Sequence, residues 1–355
     1  MAEVSIIILN YKQKELTVNC VKSVLAQKYK DFEIILVENG SEDGSYGFLK
    51  KKFSQNKKIK VLEIKKNRGY AGGNNYGYKY AKGRFVVCLS NDTLVDKNWL
   101  VELVKAIKSG ENVAIAVSAI VYVAELKNVS RYKNEIKNRE VSTGNLLSYA
   151  VKISNKGRYI KTSAVAGASF IIKRKLFKSL FDEDYFVYCE DIKLGLMTIM
   201  RGYDVIFAPD SYFFHLGCVV KKTSKKINKH YTFLGERNRI LNVLTFYSWH
   251  NLIRIFPLLI VNIILLNLSK LREMPYRLKS YFWIIGHPGF VSRKRREVHK
   301  QRKIKDKELI KLSSGKLYEE PEKGISRYAL KAINWIFLGY CFLVVLRVRE
   351  FQPKR

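Results

Sequence analysis

Over the first hundred residues, short apolar runs alternate with segments whose apolar residues recur at helical spacing. Val4-Ser-Ile-Ile-Ile-Leu9 is β-branched and has no polar face, so it reads as a strand covered on both sides. From Glu15 to Gln27, Leu16, Cys20, Val24 and Leu25 mark a helix, and Phe32-Glu-Ile-Ile-Leu-Val37 is a second strand, giving a βαβ unit with a right-handed crossover. Lys60 to Ile64 predicts a third strand, Asn67 to Tyr80 a loop and helix, and Arg84 to Leu89 a fourth strand. Such alternation predicts an α/β fold with a doubly wound, mostly parallel sheet, whose ligands bind beyond the carboxyl ends of the strands. Residues 113–123 and 165–173 are further β-prone segments, and the polar stretch Lys127 to Lys161 between them reads as an insertion or acceptor-side loop. The alternation stops after Tyr203 to Pro209 and His215.

The charge balance narrows the partners. Lys and Arg number 65 against 31 Asp and Glu, a net +34, of which +13 falls on residues 1–215 and +21 on the shorter remainder. That excess suits a polyanion: nucleic acid, an anionic bilayer or a pyrophosphate-linked substrate. No RNP, zinc-finger or helix-turn-helix pattern is present, so nucleic acid is not the expected partner. The five cysteines are scattered without a CxxC pair, which points away from a disulfide framework or zinc site and towards a reducing compartment. The N-terminus lacks the features of a signal peptide, so the catalytic part is expected to stay cytoplasmic.

Four places carry candidate chemistry. Ser90-Asn91-Asp92-Thr93 follows the fourth strand, where a carboxylate faces the cleft and suits a hard divalent cation, although an Asn-Asp turn has the same composition. Glu190-Asp191 opens a helix-like segment; a carboxylate there serves either as a base towards an acceptor hydroxyl or as a partner of the helix dipole. The loops Glu38 to Ser45 and Asn67 to Asn75 are rich in glycine, and they admit a nucleotide near the backbone or simply turn. His215 closes the apolar segment Tyr212-Phe-Phe214, as a structural histidine, as part of a metal site or as a contact to a diphosphate.

Taken in order, these motifs resemble the family 2 glycosyltransferases of the GT-A nucleotide-sugar-binding fold, and within them the rhamnosyltransferase-like branch that builds surface polysaccharides. The resemblance rests on Val4 to Tyr11, Glu38-Asn-Gly-Ser-Glu-Asp-Gly-Ser45, Asn67-Arg-Gly-Tyr-Ala-Gly-Gly-Asn-Asn75, Leu89-Ser-Asn-Asp-Thr93, Ala166-Gly-Ala-Ser-Phe-Ile171, Phe181 to Asp191, and Gly202 to Pro209 with His215. Glu236-Arg237-Asn238-Arg239 looks like the Arg-Asn element that follows such catalytic domains. The resemblance implies that Asp92, with His215, binds Mg²⁺ or Mn²⁺, that Asp191 is the base of an inverting transfer, and that Tyr188 and Glu190 lie on the acceptor side. It implies that Glu38 contacts the nucleobase and that Asn10, Asn39, Asp43, Asn67, Gly69, Asn74 and Asn91 line the donor pocket. The expected partners are a UDP-, dTDP- or GDP-sugar and a glycan or polyprenyl-linked acceptor. The chain departs from the family pattern at Glu38, where Asp is usual, at Ser90, and at Lys193 and Met197, where Asp and Arg are often found.

The expected organisation is a catalytic domain over 1–215, a helical extension over 216–250 and a basic helical region over 251–355. Phe256 to Leu268 and Ile333 to Leu346 are each about 13–14 residues, short of the roughly 20 needed to span a bilayer. Basic clusters at Arg293 to Arg296, Lys300 to Lys307 and Arg347 to Arg355 surround them. The expectation is a membrane-associated region of amphipathic helices on the cytoplasmic face, peripheral or monotopic. Two other classes of function share parts of this pattern, a catalytically weak membrane scaffold that keeps the fold and a basic nucleic-acid-binding protein.

Overall fold

A computed structural model of the chain describes residues 2–122, 139–144, 147–148, 150–155, 159–165, 167–216, 228–313 and 325–346. The alternation becomes β1 (Val4–Asn10), α1 (Lys14–Leu25), β2 (Phe32–Asn39), α2 (Ser45–Phe53), β3 (Ile59–Ile64), α3 (Gly69–Tyr80) and β4 (Phe85–Ser90). There follow β5 (Thr93–Val95), α4 (Trp99–Lys108), β6 (Val113–Tyr122), β7 (Arg139–Gly144), β8 (Ala150–Asn155), β9 (Ile160–Lys161), β10 (Ser169–Lys173), α5 (Glu190–Met200) and β11 (Asp204–His215). The main sheet has the order β3-β2-β1-β4-β10-β6-β11-β5, with β9 on β11. Pairings among β3, β2, β1 and β4, and between β6 and β11, are parallel, while β10 runs antiparallel to both β4 and β6. The long strands therefore share one direction, and β10 is wedged among them in reverse.

Register aligns the strand ends. Asn10 stands opposite Glu38, and Leu9 opposite Ser90, so the carboxyl ends of β1, β2 and β4 form one edge. Along each strand, alternate residues leave opposite faces. Ile7, Leu9, Ile35, Val37, Val86 and Cys88 pack towards α3 and α5, whereas Ile6, Ile8, Ile34, Leu36, Val87 and Leu89 pack towards α1, α2 and α4. That two-sided burial is why the runs lack a polar face.

Two expectations need correction. The stretch Lys127 to Lys161 is not a plain loop: β7 and β8 pair antiparallel and β9 joins the main sheet, while residues 127–138 lie outside the described residues. The first apolar segment of the tail is also longer than expected. After α6 (Lys229–Phe246), α7 runs from Trp249 to Ser269, and its 21 residues are long and apolar enough to cross a membrane by length and composition. Asn262 and Asn267, which break the apolar run in the sequence, are buried against the protein and so do not interrupt the outer face.

Helices α8 (Met274–Gly286), α9 (Pro288–Lys300), α10 (Asp306–Lys311) and α11 (Ile325–Tyr340) complete the described tail. Their inward residues join the core beneath the sheet: Val243 and Phe246 of α6, Leu252, Ile255 and Leu258 of α7, Val298 of α9 and Leu309 of α10 belong to the same apolar cluster as Ile7 and Ile35. The opposite side of α7 carries Trp249, Ile253, Phe256, Ile260, Ile264 and Leu268 to the surface at three- and four-residue steps. Phe282 and Ile285 of α8 and Trp335 and Ile336 of α11 are also exposed.

Candidate active site

The strand-end edge collects most of the expected residues into three groups. On the donor side, the buried Asn39 donates from Nδ2 to Asn67 Oδ1 (3.1 Å) and to the Gly69 carbonyl (3.0 Å), and its Oδ1 accepts from the Arg68 amide at 3.1 Å. Asn67 Oδ1 in turn accepts from the Gly69 amide at 2.8 Å. One asparagine at the end of β2 thereby fixes the entrance to α3. Glu38 is buried with its carboxylate folded over its own loop, accepting from the Gly40 amide (3.2 Å), the Ser41 amide (2.9 Å) and the Ser41 hydroxyl. It shapes the loop that the resemblance assigns to the nucleobase.

Asp43 is exposed and accepts from the Ser45 amide at 3.0 Å at the start of α2; the Ser45 side chain, and then its amide, hold the carboxyl below the usual range. Asn74 is buried and donates to the Tyr70 carbonyl at 2.9 Å within α3.

A second group joins β1 to β4. The buried Thr17 hydroxyl donates to Asn10 Oδ1 (2.7 Å) and accepts from Asn91 Nδ2 (2.9 Å). The other end of the Asn10 amide, Nδ2, is buried and has no protein partner among the described residues. Next to Asn91, Asp92 Oδ1 lies 3.5 Å from His215 Nε2, and the Asp92 carbonyl accepts from the Leu216 amide at 2.8 Å. Strand β5 brings this about by pairing antiparallel with β11, so that His215 stands opposite Thr93. Adjacent ligands of an octahedral Mg²⁺-type ion at 2.0–2.1 Å lie about 3 Å apart, so a carboxylate and an imidazole placed this way fit one cation between them. No cluster of three or more His, Cys, Asp or Glu side chains that could hold a metal occurs among the described residues.

The third group carries the acid–base candidates. Asp191 accepts from the Gly167 amide at 2.9 Å and from the Ile192 amide at 2.7 Å. Gly167 is tied down by the Tyr70 hydroxyl, which donates to its carbonyl at 2.6 Å, and the neighbouring Ala168 carbonyl accepts from the Ser90 amide at 2.8 Å. Asp191 is thus linked by two hydrogen bonds, through Gly167-Ala168, to the end of β4 that precedes Asp92. A Cβ at Gly167 would stand 2.7 Å from Asp191 Oδ2, so only glycine permits this approach. Burial pushes the Asp191 carboxyl above its ordinary value. Burial and then the Asp191 charge push Glu190 well above it, so Glu190 holds its proton more tightly. Glu190 Oε2 is buried without a partner among the described residues. Tyr188 is exposed at the rim, edge-on to Tyr231 with ring centres 5.9 Å apart.

Thr17 stands in no motif and Tyr70 stands in Asn67 to Asn75 without a role assigned from sequence, since each acts by bonding backbone or amide groups. Lys193 gains a role from its surroundings: it is buried against Asp182, which also receives Lys294 of α9 at 2.7 Å. The acid often found there is replaced by half of an ion cluster that ties the tail to the domain.

Residues 5–181 match the family described as Glycosyl transferase family 2. They form a family 2 glycosyltransferase domain. Poly-beta-1,6-N-acetyl-D-glucosamine synthase of Staphylococcus epidermidis is 23% identical over 206 residues, 58% of this chain and 48% of that protein. Glycosyltransferase GlyG of Streptococcus pneumoniae serotype 4 is 30% identical over 105 residues, 30% of this chain and 35% of that protein. The chain spans about half the length, or less, of these curated relatives. Among solved structures, GalNAc-T7 with UDP, GalNAc and Mn²⁺ gives a TM-score of 0.57 at 16% identity, covering 72% of this chain and 51% of that one. The mannosyltransferase PcManGT from Pyrobaculum calidifontis, in complex with GDP-Man and Mn²⁺, gives 0.50 at 17%, covering 80% and 75%. The glycosyltransferase domain therefore has a GT-A-like α/β fold.

Proposed function

We propose that this chain is an inverting hexosyltransferase that moves a sugar from a nucleotide-diphosphate sugar onto a glycan or polyprenyl-linked acceptor at an anionic membrane surface. The observation that carries the reading is the placement of Asp191. It is half-buried, held by the Gly167 amide, and joined through Gly167-Ala168 to the strand end that leads to Asp92 and His215. A base and a paired carboxylate and imidazole, linked to the same strand end, suit displacement at an anomeric carbon.

In this reading the loops at Asn39 and Asn67 receive the nucleotide, as UDP and GDP-mannose occupy GalNAc-T7 and PcManGT. Asp92 and His215 hold a divalent cation, which when bound neutralises charge on the departing diphosphate. Mn²⁺ in both of those structures is in keeping with this. Asp191, ionised, takes the proton of the acceptor hydroxyl as that oxygen attacks the anomeric carbon, and the bond to the nucleoside diphosphate breaks. One displacement without a covalent intermediate inverts the configuration.

Polysaccharide synthesis is the setting of the staphylococcal relatives, and it suits an acceptor on a growing glycan or its lipid carrier. The exposed apolar faces of α7, α8 and α11, in a segment with a +21 excess, support attachment to anionic lipid. A donor panel of UDP-N-acetylglucosamine, UDP-glucose, GDP-mannose and dTDP-rhamnose, followed by nucleoside diphosphate release with Mg²⁺, Mn²⁺ or EDTA, tests the reading. Release from none of them by folded protein, with the candidate acceptors present, sinks it.

A further inference from the structure

The segment between Tyr185 and Asp191 holds a shape that its residues do not favour. Phe186, Tyr188 and Cys189 have φ of +61°, +71° and +62°, a region that side chains with a Cβ seldom enter. Such a segment persists only where its surroundings over-determine it. Here every carbonyl from Asp184 to Cys189 is bonded. Asn238 of α6 donates from Nδ2 to the carbonyls of Tyr185 (2.9 Å), Val187 (3.0 Å) and Tyr188 (2.8 Å). Arg237 donates to the Asp184 carbonyl at 2.7 Å, and Asn242 to that of Cys189 at 3.2 Å. The remaining carbonyl, of Phe186, accepts from the Ala71 amide at 3.0 Å, at the donor-side start of α3.

Asn238 is fully buried, and its orientation is fixed because Oδ1 accepts from Arg237 Nε (3.0 Å) and Nη2 (2.8 Å). No other side chain of its size presents donors to three carbonyls and an acceptor to a guanidinium: aspartate has no donor and leucine neither group. The segment it holds ends at Cys189, which caps α5, so Asp191 in the first turn inherits its position from the loop. The donor-side bonds of Asn39 and Asn67 do not pass through Asn238.

We infer that Asn238 is a positioning residue for sugar transfer, holding the Tyr185–Cys189 segment in the strained shape that delivers Asp191 to the cleft. This rests on the sugar-transfer reading above. Loss of the side chain lets the segment relax and Asp191 drift from the acceptor, while the nucleotide still binds.

The test compares full-length wild type, Asn238→Ala and Asn238→Ala/Cys189→Gly with whichever of the four panel donors the wild type turns over. Asn238→Ala is expected to lower kcat about 10- to 100-fold with donor KM changed less than about threefold, in protein that still melts cooperatively. The acid limb of its pH profile should move to lower pH as water reaches Asp191. Glycine accepts φ of +62° without strain, so the double variant should regain at least about threefold in kcat. If Asn238→Ala does not fold, Asn242→Ala removes one of the two bonds to the Cys189 carbonyl, the other coming from the Lys193 amide, together with the acceptor of the Tyr185 hydroxyl, and should give the same split to a smaller degree. An unchanged kcat in the folded single variant, a change confined to KM, or a double variant no faster than Asn238→Ala overturns the assignment. Absence of turnover in the wild type instead removes the sugar-transfer reading itself.

Discussion

Asp92 and His215 face each other across 3.5 Å because β5 folds back along the end of β11. The pair offers one oxygen and one nitrogen ligand, and imidazole suits Mn²⁺ better than Mg²⁺, which keeps its waters and prefers oxygen. EDTA should abolish turnover, and Mn²⁺ should restore more of it than Mg²⁺. Asp92→Asn should lower kcat/KM by about 100-fold or more. Full activity in EDTA would refute the pairing as a metal site.

Asp191→Asn should reduce kcat by about 10²- to 10⁴-fold, the usual worth of a positioned base, without loss of folding. Because burial raises the Asp191 pKa, the base is lost on acidification earlier than an ordinary aspartate would be. The acid limb of kcat should therefore lie above the ordinary aspartate value, and a limb at or below it would contradict the burial argument.

Gly69 has φ +70°, and a Cβ there would meet the Phe186 carbonyl at 2.3 Å. Gly69→Ala should destabilise the protein by about 1–3 kcal/mol, read from denaturant melts, and raise donor KM by shifting the loop at Asn67. Wild-type stability in this variant would show that the two loops are not in contact.

Asp182 is largely buried between Lys193 and Lys294, and those charges outweigh burial to hold its pKa down at about 2. A carboxyl depressed in the fold contributes stability that is present above its unfolded value near 3.8 and is lost as pH falls from there towards 2. Asp182→Asn takes the carboxylate from the buried Lys193 and leaves Lys294 only Asp184 and Glu297, and should cost about 3 kcal/mol at neutral pH. It should also flatten the acid side of the stability curve between pH 4 and 2 relative to wild type, which urea titrations at several pH values would read.

Full-length protein should float with vesicles containing anionic lipid at physiological salt, and Ile253→Glu/Phe256→Glu should return it to the supernatant. These side chains point away from the core, so the variant should keep its melting temperature and its turnover of soluble acceptors. Wild type that stays in the supernatant removes membrane attachment from the proposed function.

The first four strands were legible because each is buried on both faces, so burial is written directly into runs such as Ile6, Ile7 and Ile8. The position of Asp92 was legible for a related reason: a strand's end is visible in sequence, and so is the carboxylate beyond it. The reversal of β10 was not, since Phe170, Ile171 and Ile172 would look the same in either direction. Nor was the span of α7 legible, where Asn262 and Asn267 read as interruptions until their burial was seen. Asn238 stood out only as part of a motif, because its three partners are carbonyls some fifty residues earlier that any amino acid would supply.

The apolar cluster that runs without a break from Ile7 and Ile35 under the sheet to Ile255, Leu258 and Leu309 makes the sheet and the tail a single cooperative unit. Calorimetry on the whole chain should then show one heat-absorption peak rather than two. A chain cut after Phe246 should expose part of that cluster and aggregate on warming, instead of yielding a well-behaved soluble fragment.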